Sequence, residues 1–353
     1  MNGKNNKKKI TCCIVGARGY AGLELARLLL RHPNVDLKFC FATSEMNLSH
    51  YLNTESAKNV VCLLDKEIMS HLTDVVFLAT PAEVSLKLAP QILASGKKVI
   101  DLSGAFRLKE NDYQKWYGFE HTEPTLLANA LYGLLPWVGP SKNENLVANP
   151  GCFATAVTLA LIPLLKDFVI DSENIVIDAK SGSTGGGKKA AENLLFTEVD
   201  GECLPYKVGR HQHYPEIVEA IKNFSGQKIE AHFTTSLLPV RRGIIAGVYG
   251  RLAAGKTIED VENAFQKYYG DYTLVNHGRL SSAIAKSNAL LSLKKVVGTA
   301  KTHISYEVEG NKLYLFSCID NLLKGAASQA VENLNRIADL PLTTAVNRME
   351  ALI

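Results

Sequence analysis

The stretch Ile10-Thr11-Cys12-Cys13-Ile14-Val15-Gly16-Ala17-Arg18-Gly19-Tyr20-Ala21-Gly22-Leu23-Glu24-Leu25 decides how the first half of the chain is read. Its first six residues, nearly all apolar, predict a buried strand, and the spacing of Leu25, Leu28 and Leu29 predicts an amphipathic helix. Between them the glycines fall as G-x-x-G-x-x-G. Glycine permits a tight turn and close backbone approach, and the free N–H groups and dipole at the helix N-terminus then meet the charge of a pyrophosphate. Gly16, Arg18, Gly19, Tyr20, Ala21 and Gly22 are therefore candidate dinucleotide-binding residues, with a plain tight turn as the bland alternative.

Outward from this loop, strand-like runs at 37–42, 75–79 and 99–102 alternate with amphipathic runs at 23–31 and 84–94. Strand, helix, strand in that order predicts a doubly wound parallel sheet covered on both faces. The second strand ends in Thr43-Ser44, with no carboxylate where an NAD-preferring loop offers one to the ribose 2′-OH. Those hydroxyls, with Arg18 as a cation, favour a 2′-phosphate and hence NADP; Glu45 just beyond, or a merely solvated Arg18, is the opposing reading. Thr80, Pro81 and Ser103 follow the third and fourth strands, as cofactor contacts or as simple turns.

Residues 106–149 show few periodic runs and read as an irregular connection. From Cys152 a new pattern begins: a helix to 165, a strand at 175–180, a glycine-rich loop at 181–187, strands near 230–237 and 244–252, a helix at 258–268, a strand at 312–319 and a helix at 322–334. This order predicts a second, α+β domain.

Composition is consistent with this. The 353 residues leave room for about two domains of ~150. Apolar residues at 46% and charged residues at 21% exclude wholesale disorder and fibrous repeats. The net charge of +4, from 39 basic and 35 acidic residues, includes the cluster Lys4, Lys7, Lys8 and Lys9 and carries no nucleic-acid signature. Residues 1–9 read as a frayed tail, since no apolar leader follows, and no run approaches the ~20 apolar residues of a membrane span. Seven cysteines without a C-x-x-C pair predict a reduced, cytoplasmic chain.

One cysteine is set apart. Asn149-Pro150-Gly151-Cys152 places it between turn residues and the start of a helix, where the dipole and free N–H groups are expected to lower its pKa and activate the thiolate. Burial as a small hydrophobe suits Cys12, Cys13, Cys40 and Cys318 better. Downstream, His211 and His213 stand just before a helix that Pro215 can open, and either could move protons near neutral pH. No Cys or carboxylate stands at metal-ligand spacing, so no metal is expected. Two stretches collect anion-binding groups: the glycine-rich run with Lys180, Ser181 and Gly182, which lacks the ending of a P-loop, and Arg241-Arg242, for which a solvated loop is the equal alternative.

Seven motifs in this order resemble the N-acetyl-gamma-glutamyl-phosphate reductase family of the semialdehyde dehydrogenase superfamily. They are the glycine loop with Glu24-Leu25, Asp101 to Arg107, Tyr132-Gly133-Leu134, Asn149 to Thr155, Lys180 to Gly187, His211 to Ile217, and Ile319 to Ala327. The resemblance implies a Rossmann doubly wound parallel sheet with an inserted α+β catalytic domain of the semialdehyde dehydrogenase type. The expected division is an NADP-binding domain at 1–149, a catalytic and oligomerisation domain at 150–320, and a C-terminal helix at 321–353 returning to the first domain. It further implies NADPH-dependent reduction of N-acetyl-gamma-glutamyl phosphate in arginine biosynthesis by a homodimer or homotetramer. Cys152 would form a thioester, and His211 or His213, with His211 taken first, would handle protons. Arg107, Asn149, Lys180 and Arg241 would bind substrate, and Asn321 would join the cofactor site. Alternatives are a relative acting on aspartyl, N-acetyl-aminoadipyl or N-succinyl-glutamyl phosphate, or a non-catalytic NADP-binding regulator. The chain departs from the family pattern at Arg18, at Leu135-Pro136-Trp137 and at residues 298–303.

Overall fold

The computed structural model describes residues 8–280 and 291–347; most of the basic tail and residues 348–353 of the final segment lie outside the described residues. Seven strands form the first sheet: β1 (Ile10–Val15), β2 (Val35–Ala42), β3 (Val61–Leu64), β4 (Val75–Leu78), β5 (Lys98–Asp101), β6 (Leu131–Tyr132) and β7 (Leu146–Ala148). They pair in parallel in the order β3-β2-β1-β4-β5-β7-β6. The strand order reverses between β1 and β4, the crevice where this architecture takes ligands.

Side-chain alternation explains the near-continuous apolar strands. Cys12 and Ile14 enter one core with Leu25, Leu28 and Leu29 of helix α1 (Tyr20–Arg31). Cys13 and Val15 enter the other with Leu86, Ala89 and Ile92 of α2 (Ala82–Ala94). The expected irregular connection at 106–149 is corrected here: it contributes β6 and β7, and β7 lies buried between β5 and β6. Strands of two and three residues are too short to show a period.

The second sheet is mixed: β8 (Ile175–Gly182), β9 (Leu204–Pro205), β10 (Ala231–Leu238), β11 (Ile244–Arg251), β12 (Val275–Arg279), β13 (Thr302–Glu309) and β14 (Lys312–Ile319), in the order β12-β13-β14-β11-β8-β10-β9. Helix α3 (Cys152–Lys166) packs on β11 and β14 and against α4 (His213–Ser225) and α5 (Ile258–Tyr269). Its residues 153–165 are all buried, which explains a helix apolar on every face.

After β14 the chain makes a wide π-helical turn, Leu323–Ala327, and continues as α6 (Ser328–Ile337). This segment packs on the first sheet's side of the molecule, where Asn335 Oδ1 pairs with His32 Nε2 at 2.8 Å and Asn333 Nδ2 donates to Gly133 O at 2.9 Å. Arg242 ties the two sheets' surroundings together, reaching Glu24 of α1 at 2.6 Å and Asp320 at 2.9 Å. Among the described residues no helix is long and apolar enough to cross a membrane.

Candidate active site

A cleft of about 740 Å³ opens between the glycine loop after β1, the loop after β8, residues 204–207 and the start of α3. Gly19, Tyr20, Ala21 and Gly22 line one end. The turn there requires glycine: Gly16 has φ +82°, and a Cβ on it would stand 2.3 Å from the carbonyl oxygen of Ala79. A Cβ on Gly22 would stand 2.5 Å from Gly16 O, so its absence lets α1 start tight against β1. The helix begins with no side-chain cap and no acidic residue in its first turn. Bare N–H groups at a helix start fit the pyrophosphate of a dinucleotide.

Further along the wall stand Arg107, Cys152, His211 and His213. Arg107 is anchored by Nε to Asn149 O at 2.8 Å and by Nη2 to Leu102 O at 2.6 Å, and its Nη1 lies 3.7 Å from Glu216 Oε2. Glu216 is the residue that sequence reasoning missed as a site component. Buried in the first turn of α4, its Oε1 accepts from Gly151 N–H at 2.7 Å and Tyr132 OH at 2.8 Å. The signal was present in the His-x-His-x-Pro-Glu motif, where a carboxylate follows His213 by less than a helical turn. Glu216 thus holds both the peptide before Cys152 and the guanidinium beside it.

The two histidines differ. His211 Nδ1 accepts the backbone N–H of His213 at 3.1 Å, so the neutral ring carries its proton on Nε2. His213 packs against Gly151 so closely that a Cβ there would be 2.5 Å from its Nε2 and 2.9 Å from Arg107 Nη1. Burial, with its neighbours' charge, pushes His211 down to about 2 and His213 down to about 3, so both rings are neutral at physiological pH. Cys152 corrects an expectation: burial pushes its thiol up to about 11, against the lowering pull of Arg107 and backbone N–H groups. The helix terminus acts as expected but desolvation outweighs it.

Other expected contacts are redistributed. Lys180 points away from the cleft and contacts Asp178, because strand alternation sends Ser181 to the cleft and Lys180 to the opposite face. Arg241 has an exposed side chain, and its carbonyl accepts from Thr184 Oγ1 at 2.6 Å. Asn149 is fully buried and acts as a strut, donating to Ala326 O and accepting from Asn333. Ser103 closes a turn on Asp101, and Thr80 pairs with Ser85. Pro81 caps α2, and none of these lines the cleft. Ser181, Gly182 and Asn321 do line it, though the Asn321 amide is already engaged by Gly243 N–H and Thr184 Oγ1. Arg18 contacts the Ser44 hydroxyl beyond the cleft, with Thr43 exposed alongside.

A nucleotide-type loop facing a cysteine, two histidines and an arginine across one cleft defines a class. The chain belongs to the semialdehyde dehydrogenase family: the profile described as its NAD binding domain matches residues 11–145 and the one described as its dimerisation domain matches 152–321. It is therefore an oxidoreductase with a nicotinamide-binding domain. Within that family it falls among the N-acetyl-gamma-glutamyl-phosphate reductases. The Streptococcus sanguinis protein of that name is 39% identical over 94% of this chain and 96% of its own length, and the Bacillus cereus protein 36% identical over 95% and 98%. Among solved structures, aspartate semialdehyde dehydrogenase II from Vibrio cholerae shares the fold at TM-score 0.70 and 19% identity, covering 94% of this chain and 99% of its own.

Proposed function

We propose that this protein reduces N-acetyl-gamma-glutamyl phosphate to N-acetylglutamate 5-semialdehyde and phosphate, with NADPH, in arginine biosynthesis. The domain boundary falls at 149/150, two residues before Cys152, and Asn321, Leu322, Gly325 and Ala326 of the segment from 321 line the cleft. The observation that carries the reading is Cys152 at the mouth of α3, sharing one cleft with Gly19–Gly22, Arg107 and both histidines.

The acyl phosphate's charge falls to Arg107, whose anchored guanidinium keeps Nη1 beside Gly151. His213, neutral and packed against the residue preceding Cys152, takes the thiol proton as sulfur attacks the acyl carbon and phosphate leaves, giving a thioester. His211 offers Nε2–H to the carbonyl oxygen where negative charge develops. A nicotinamide bound at the glycine loop would supply the hydride for reduction of the thioester. His213 then returns its proton to sulfur as the thiohemiacetal collapses. The preference for His211 as the base gives way to His213 because protonating His211 at Nδ1 would break its backbone bond. Gly16, Gly19, Tyr20, Ala21 and Gly22 would hold the cofactor's pyrophosphate, and Arg18 with Ser44 supports a 2′-phosphate. The active form is a homo-oligomer, in keeping with the match to a dimerisation domain.

The test is phosphate-dependent reduction of NADP⁺ with N-acetylglutamate semialdehyde. Wild type turns over only with phosphate, and Cys152→Ser is inactive. His213→Asn loses thioester formation, whereas His211→Asn retains a slow pre-steady-state thiohemiacetal. Phosphate-independent turnover would sink the reading.

A further inference from the structure

On the reading just proposed, the ligands of this cleft bring three anionic groups: the cofactor phosphates, the acyl phosphate, and the α-carboxylate at the far end of the substrate. Among the described residues the cleft wall carries three cations, Arg107, Lys188 and Lys207, and no carboxylate. Two of the cations have places already. Lys188 lies on the nucleotide side, its Nζ 5.3 Å over the Tyr20 ring and 5.2 Å over the Tyr51 ring. Arg107 stands against Gly151, where the phosphate must be, since its phosphorus is one oxygen away from the carbon that Cys152 attacks.

Lys207 is left. It follows β9 and precedes α4, its Nζ donates to Gln212 Oε1 at 2.9 Å, and its charge is felt by both His211 and His213. Among the described residues no carboxylate forms an ion pair with it. Its backbone has φ +47°, a left-handed conformation that a long side chain rarely adopts, fixed by Arg210 N–H donating to its carbonyl at 2.9 Å. An ammonium is a compact point charge that can meet a carboxylate, and the anchored fork of Arg107 matches a phosphate. We propose that Lys207, positioned by Gln212, is the anchor for the substrate's α-carboxylate. The assignment rests on the proposed function and supplies the cation that Lys180 and Arg241 do not.

The experiment is steady-state kinetics in the oxidative direction on wild type, Lys207→Met and Lys207→Arg. Loss of one charge-assisted contact predicts that Lys207→Met raises KM for N-acetylglutamate semialdehyde roughly 10- to 100-fold. KM for phosphate and for NADP⁺ stay at wild-type values, and Lys207→Arg recovers most of the loss. With 4-acetamidobutanal, which lacks the carboxylate, wild type and Lys207→Met have the same kcat/KM, or the same inhibition constant if it is not turned over. An unchanged KM for the semialdehyde, a raised KM for phosphate instead, or an equal loss on 4-acetamidobutanal overturns the assignment. A wild type that does not turn over N-acetylglutamate semialdehyde overturns the proposed function and this assignment with it.

Discussion

Gly325 lies against Cys152 with no room for a side chain: a Cβ on it would stand 2.7 Å from the cysteine Cβ and 3.1 Å from its Cα. The glycine sits in the π-helical turn Leu323–Ala327, a widened turn of the kind that marks functional sites. The position of Cys152 therefore depends on a side chain that is absent. Gly325→Ala forces one of the two to move, and a displacement near 1 Å at a reacting atom costs on the order of 100-fold in rate. The expected outcome is that loss in kcat/KM with a denaturation midpoint shifted only modestly. Full activity would show that Cys152 is not held by this contact.

The preceding residue, Lys324, is fully buried and donates to Glu332 at 2.9 Å and to Tyr272 OH at 2.7 Å. Burial pulls its pKa down and pushes that of Glu332 up, while the mutual attraction opposes both shifts. Removing one partner strands the other's charge in the core. Lys324→Met is expected to lose about 3–5 kcal/mol in urea denaturation, and Lys324→Met/Glu332→Leu to recover most of it. A double variant as unstable as the single would show that packing, rather than the stranded charge, sets the loss.

What the sequence displayed, and what it hid, divides along this line. β1 and its glycine turn were legible because they are local: a short apolar run, then glycines where φ +82° and a 2.3 Å approach admit nothing else. Cys152 and the histidines stood out by type and neighbours, and the fold brings them to one cleft. Lys180 was misplaced because adjacent strand residues face opposite ways, and only the sheet decides that Ser181 has the cleft. Lys207 and Glu216 were passed over because their importance comes from Gln212, Gly151 and Arg107, which meet them only after folding.

Arg18 stands at the tip of the first glycine loop and touches Ser44 just beyond β2, two positions that come together because β1 and β2 pair in parallel. A guanidinium and a hydroxyl so placed would bind a 2′-phosphate and gain nothing from a 2′-OH. Arg18→Ala is expected to raise KM for NADP⁺ roughly 10-fold, the scale of one charge-assisted contact, and to leave that for NAD⁺ unchanged. Equal changes for both cofactors would remove Arg18 from cofactor discrimination.

The reactivity of Cys152 tests the balance between helix terminus and burial. Burial dominates and sets the thiol at about 11; Arg107 pulls it down and Glu216 pushes it up. At pH 7 such a thiol is ionised in roughly one molecule in ten thousand, against a few per cent for a free cysteine. Iodoacetamide should then label the exposed Cys203 before Cys152, and labelling of Cys152 should climb about tenfold per pH unit through pH 9 without levelling. The variants carry the signs: Arg107→Met removes the lowering cation and slows labelling at a given pH, and Glu216→Gln removes the raising anion and speeds it. A labelling rate for Cys152 that levels off between pH 6 and 7 would mean that the helix terminus and Arg107 outweigh desolvation, and that the resting enzyme already holds a thiolate.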